Sequence, residues 1–145
     1  MGSTLIVDEI QGATAATKVK MPAGTILQTL SSDKLTAQGI NTDTFTDLSD
    51  LSVTITPHFN TSKILITAHV YVSWTDAGVL RLMRGSTRIP NNTEGNAADR
   101  RGFAMTRHEQ GNEGNTYSVT HLDSPATTSA TTCLLYTSPS PRDRG

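Results

Sequence analysis

The chain lacks most of the features that identify an enzyme or a membrane protein from sequence. Its single cysteine, Cys133, rules out an intrachain disulfide, and the chain before it holds no thiolate for a metal site. Aromatic residues make up only 5% of the chain, and 12 basic residues stand against 13 acidic ones, a net charge of −1. Near-neutral balance with scattered basic residues does not give the electrostatic footprint of a nucleic-acid binder. No apolar run reaches the length needed to cross a bilayer, and the start MGSTLIVDEIQG lacks a basic region followed by an apolar one. The expectation is an unexported chain with no cofactor, no nucleic-acid partner and no membrane insertion. Helical periodicity is absent as well; only Asn96 to Arg100 has the composition for a turn of helix.

What the chain does have is strand patterning, clearest from Leu51 to Trp74. From Lys63 onward, Ile64, Ile66, Ala68, Val70, Val72 and Trp74 share one face, and Leu65, Thr67, His69, Tyr71 and Ser73 share the other with Lys63. The second face is more apolar than a solvent face requires, so Leu65, His69 and Tyr71 are candidates for a subunit interface. Before this strand lies another, Ser52 to Thr56, and the pair reads as a hairpin closed by a short polar turn. Further strands are expected over Val79 to Arg84, Arg101 to Arg107 and Thr116 to Leu122, with Asp76 to Gly78, Gly85 to Arg100 and Glu109 to Asn115 as connections. The fold class is therefore all-β, an antiparallel jelly-roll-like β-sandwich. Composition changes near Asp50: residues 1–50 are rich in Ala, Thr, Ser and Gly and read as an extended segment with short strands, either ordered by winding with two copies of itself or a leader whose one strand, Ile26 to Leu30, joins the sandwich.

Chemistry finds little foothold. His58, His69, His108 and His121 include no pair at the spacing that places two imidazoles on one side of a strand or helix. Asp43, Asp47 and Asp50 lack the alternating ligands and central glycine of a calcium loop, and read as a solvated connector. Neither a nucleophile elbow nor a phosphate-binding glycine loop is present. The connection after Arg84 offers Arg88, Asn91, Asn92, Asp99, Arg100 and Arg101, side chains that hydrogen-bond sugar hydroxyls and carboxylates, and it is the candidate receptor-contact loop. A glycan-cleaving alternative would draw its two carboxylates from Glu94, Asp99, Glu109 and Glu113.

Three blocks carry a resemblance: SVTITPHFNTSKILI at Ser52 to Ile66, LMRGST at Leu82 to Thr87, and LDSPATTSATT at Leu122 to Thr132. In that order and spacing they resemble marine bacteriophage tail-fibre and related virion-appendage proteins. Ser3 to Gly12 (STLIVDEIQG) and Met21 to Gln28 (MPAGTILQ) are similar to the segment that leads from a shaft into the terminal domain of such proteins. The resemblance implies a virion structural protein that is not an enzyme. It also implies a homotrimer with a head like those of tumour-necrosis-factor-like and complement-like proteins, contacts with other tail proteins, and a role in attachment to a host-surface glycan. The alternative is a carbohydrate-binding module or depolymerase tip.

After Thr132 the wording changes. Cys133 to Asp143, CLLYTSPSPRD, resembles the translated adapter of a transposase-based sequencing library, as in a metagenomic read that ran into its adapter. On that reading residues 133–145 are a non-native tail, and the credible part keeps ten basic and twelve acidic residues once Arg142, Asp143 and Arg144 are set aside. The head, residues 51–132, would then be incomplete, with an exposed strand edge that promotes aggregation.

Overall fold

The computed structural model describes residues 22, 24–40, 42, 44–74, 78–90, 102–106 and 113–139. Among them every regular element is a strand: β1 (Thr46–Ile55), β2 (Ile64–Trp74), β3 (Gly78–Arg84), β4 (Thr87–Ile89), β5 (Ala104–Thr106), β6 (Glu113–Asp123) and β7 (Thr131–Pro139). All pairings are antiparallel, as expected. The larger sheet runs β1-β7-β3-β4, and the smaller is the ribbon β2-β6. β7 occupies one side of β3 from Gly78 to Arg84, while β4 and β5 share the other side in succession.

The alternation that predicts β2 determines which of its faces is buried. Ile64 is buried, and Ile66, Ala68, Val70 and Val72 turn inward with Tyr117 of β6 onto a core of Leu48, Leu80, Leu82, Ile89 and Leu135. Paired strands present directly opposite residues to the same side, so Leu82 and its partner Leu135 enter the core together. β3 is covered on both faces: Val79 and Leu80, which point in opposite directions, are each fully buried. The Arg81 guanidinium, on the Val79 side, lies 3.2 Å from the centroid of the Phe45 ring, a cation–π contact that closes the far face.

One expectation is corrected, and two expected boundaries fall within strands. β1 and β2 are not a hairpin: β1 pairs with β7 and β2 with β6, so the connection Thr56 to Lys63 crosses from one sheet to the other. That connection is longer than tight hairpins use. It carries buried Pro57 and closes its own turn, Ser62 N–H to the Phe59 carbonyl at 2.9 Å and Phe59 N–H to Ser62 Oγ at 3.2 Å. The division at Asp50 falls inside β1, where Leu48 is already core. The division after Thr132 falls inside β7, and Cys133, Leu135 and Thr137 are buried in the middle of the larger sheet. Whatever the origin of the codons for Cys133 to Pro139, their alternation of apolar and polar residues suits a strand that faces the core on one side.

Two smaller differences follow from turn chemistry and pairing. Gly85 and Ser86 form a two-residue turn, with Gly85 at φ +53°, and return the chain along β3 as β4. Such turns need a positive φ that glycine supplies at little cost, which removes Thr87 to Ile89 from the expected long loop. Ile26 to Leu30 pairs with no strand among the described residues, and Asn96 to Arg100 lies outside them.

The backbone passes so close at one point that only glycine fits. A Cβ on Gly102 would run into the Leu80 carbonyl oxygen and lie 2.6 Å from Val79 Cγ1, where Phe103 N–H donates to that same carbonyl at 2.9 Å. Gly102→Ala is expected to cost about 1–3 kcal/mol in urea unfolding, the usual penalty for forcing extra volume into a packed site; an unchanged midpoint would refute the close approach.

Candidate functional site

Three places on the fold bring polar or unpartnered groups together: a corner where the sheets are tied, a groove beneath the N-terminal strap, and the outer face of the ribbon.

The corner is built on an inward-facing charge. Leu80, Leu82 and Arg84 alternate on the core side of β3, and an arginine in that position needs a carboxylate. Asp123, at the end of β6 in the other sheet and 6% exposed, supplies it: Arg84 Nη1 donates to Oδ1 at 2.9 Å and to Oδ2 at 2.7 Å. Around this pair, Gly85 N–H donates to the Thr132 carbonyl at 2.8 Å, and the hydroxyls of Thr54 and Thr132 are 2.8 Å apart. Cys133, the β7 partner of Arg84, is buried alongside. Burial pushes its thiol above the ordinary range, the nearby Asp123 charge adds to the shift, and Arg84 offsets part of it. The thiol is therefore a protonated packing group at neutral pH and not a nucleophile.

The groove, of about 1210 Å³, opens beneath the strap of residues 24–33. Core side chains such as Ile66 and Leu82 line its floor, and Ile26, Leu30, Leu65 and Leu122 line its rim. The strap is held at two places. Near its start Gln28 Nε2 and His58 Nε2 are 2.8 Å apart. Beyond it, Gln38 Oε1 accepts from Ser49 N–H and Ser49 Oγ, both at 2.9 Å, and Gln38 Nε2 donates to the Asp47 carbonyl at 3.0 Å. Lys34 donates to Ser49 Oγ at 2.9 Å and pairs with Asp50 at 3.6 Å. These contacts land on an irregular stretch of β1, where Asp47 to Ser52 spans only Tyr136 to Leu134 of β7 and Asp50 has φ +66°. Asp47 and Asp50 thus belong to a bulged strand that receives the strap, not to a connector; Asp43 lies outside the described residues.

On the outer face of the ribbon, Leu65, His69 and Tyr71 do share one side, as expected. Leu65 is 65% and Tyr71 70% exposed, and His69 Nδ1 is 2.8 Å from Ser118 Oγ across the strand pair. The sequence reading missed Leu122, which sits directly opposite Leu65 and is 54% exposed. Of the candidate receptor-contact loop, only Arg88 is described: it is half-buried in β4 opposite Met83 and lines a cleft of about 160 Å³ with Phe103 and His121. Asn91, Asn92, Asp99, Arg100 and Arg101 lie outside the described residues, as do Glu94, Glu109 and the side chain of Glu113. Among the described residues no three His, Cys, Asp or Glu side chains come together as metal ligands, and no helix is long and apolar enough to cross a membrane.

Two outcomes test the corner. Arg84→Met leaves Asp123 as an uncompensated buried charge and is expected to cost about 3 kcal/mol, with Arg84→Met/Asp123→Leu recovering much of the loss. Equal penalties for the single and double variants in urea titrations would show that the two groups are not coupled. Because folding raises the Cys133 pKa, the native state holds the proton more tightly. Its contribution is full below the unfolded thiol pKa of about 8.5 and declines as pH rises through the higher folded value. Urea midpoints from pH 7 to 10 should fall more steeply for the parent than for Cys133→Ala; parallel profiles would contradict the burial.

Neither a family model, nor a curated protein, nor a solved structure matches this chain.

Proposed function

We propose that the chain is a non-enzymatic structural domain of a bacteriophage tail fibre or related virion appendage, a jelly-roll-like β-sandwich that acts as a homotrimer in attachment to a host surface. The observation that carries this reading is the meeting of the three resembling blocks at one corner. Thr54 comes from the first block, Arg84 and Gly85 from the second, and Asp123 and Thr132 from the third: Thr132 bonds to Thr54 and Gly85 within the larger sheet, and Arg84 reaches Asp123 in the other sheet. Blocks far apart in sequence that shared a structural role would be expected to meet in space, and their meeting supports the reading. Arg84 and Asp123 tie one sheet to the other, a use that calls for structure and not for catalysis.

A rigid strand scaffold that presents connections of variable chemistry suits surface recognition. Three copies would then strengthen weak contacts through multivalency. The loop following Arg88 is the proposed contact region, and a bacterial surface glycan its proposed ligand.

Fluorescently labelled chain should bind whole cells of a subset of marine bacterial isolates, and that strain's own surface polysaccharide should compete. Binding to none of a broad panel would overturn the reading. Release of reducing ends from the polysaccharide would replace it with a depolymerase.

A further inference from the structure

We propose that the rim of the groove together with the outer face of the β2-β6 ribbon is a self-association surface, and that its occupant is a second copy of this chain. This deepens the proposed function and rests on its premise that several copies act together, while its argument comes from the surface itself.

Exposed apolar side chains are unevenly distributed. The large exposed hydrophobic residues among those described are Ile26, Leu27 and Leu30 on the strap, Leu35 just beyond it, and Leu65, Tyr71 and Leu122 on the ribbon, with none on the larger sheet. Five of them, Ile26, Leu27, Leu30, Leu65 and Leu122, line one groove, so strap and ribbon present a continuous patch. Apolar surface gathered in this way marks an interaction site, whereas single scattered residues do not.

The chemistry of the patch favours an identical partner. Its ribbon portion is Leu65, Thr67, His69, Tyr71 and Ser73 with the facing Leu122, Thr120, Ser118, Thr116 and Gly114, and carries no carboxylate, lysine or arginine. The groove adds one of each sign, Asp33 and Lys63. Two copies brought together therefore meet no like-charge barrier, and Asp33 of one can face Lys63 of the other. An anionic membrane or nucleic acid would find no cluster of basic side chains here.

The ribbon is also open at its edges. Among the described residues β2 pairs only with β6 and β6 only with β2, and neither strand carries a proline or lysine to discourage addition. Area points the same way. Two strands of 11 residues span roughly 36 Å by 10 Å. With the strap the footprint reaches roughly 550 Å², close to the ~600 Å² per partner at the lower end of stable interfaces.

The test is the mass of the full chain in solution, measured by light scattering over a hundredfold range of concentration. The parent is expected to be an oligomer. Leu65→Glu and Leu122→Lys, both at exposed positions, should each reduce the mass to that of a monomer while far-UV circular dichroism and the urea midpoint stay at parent values. An equimolar mixture of the two variants should regain the higher mass, because opposite charges then meet across the contact. Ser52→Glu, on the outer face of β1, should keep the parent mass. A monomeric parent, variants that associate like the parent, or dissociation by Ser52→Glu instead would overturn the inference. These masses need neither virion nor cell. Failure of cell binding with the masses as expected would remove the attachment reading alone, and a monomer that still bound cells would remove this inference together with the proposed trimer while leaving attachment standing.

Discussion

The structure depends on a mismatch in width. Among the described residues five strands make one sheet, which is four strands wide because β4 and β5 share one side of β3, and two strands make the other. At about 4.8 Å per strand the ribbon shades only half of the sheet it faces. Over β3 the cover is complete, and Val79, Leu80 and Leu82 are among the most deeply buried residues of the chain. Over β1 it is not: Leu51, Val53 and Ile55 stay half-buried, and the space above them is the groove. The strap is the chain's own partial answer. It lies where the ribbon does not reach, and it is tied down by Gln38 and Lys34 on the irregular part of β1, where distorted pairing leaves backbone groups open to side chains.

A narrow cover also has to be kept in place. Hydrophobic contact is non-directional and would tolerate a ribbon that slides along the larger sheet. The pairing of Arg84 Nη1 with both carboxylate oxygens of Asp123 does not tolerate sliding, because a shift of one residue would leave the buried Asp123 carboxylate without its cation. The ion pair is better understood as fixing the relation of the sheets than as a large contribution to stability.

Periodicity made part of this legible. The alternation from Ile64 to Val72 gave the strand, its extent and its buried face, and the exposed side with Leu65, His69 and Tyr71 followed from the same two-residue repeat. Partner choice was not legible, because a strand shows which face it buries and not which strand lies beside it; that is why β1 and β2 resembled a hairpin. The corner could have been anticipated from Arg84, which continues the inward series of Leu80 and Leu82 and so requires a buried carboxylate, although nothing local singles out Asp123 among the acidic residues. Gly85-Ser86 before Thr87-Arg88-Ile89 was a readable turn signal. β7 was hidden for a different reason: residues 133–145 read from the sequence as a non-native tail, yet a strand responds only to the order of apolar and polar side chains.

β7 lies between β1 and β3, although it follows every other strand in the chain. A growing polypeptide therefore cannot assemble the larger sheet in the order in which it is made. β1 and β3 have no common partner until β7 has left the ribosome, and until then each presents an open edge. The ribbon faces the same delay, since β2 waits for β6. Most long-range pairing thus waits for strands made well after their partners, which makes the fold slow to form and dependent on protection of its strands from neighbouring chains during translation.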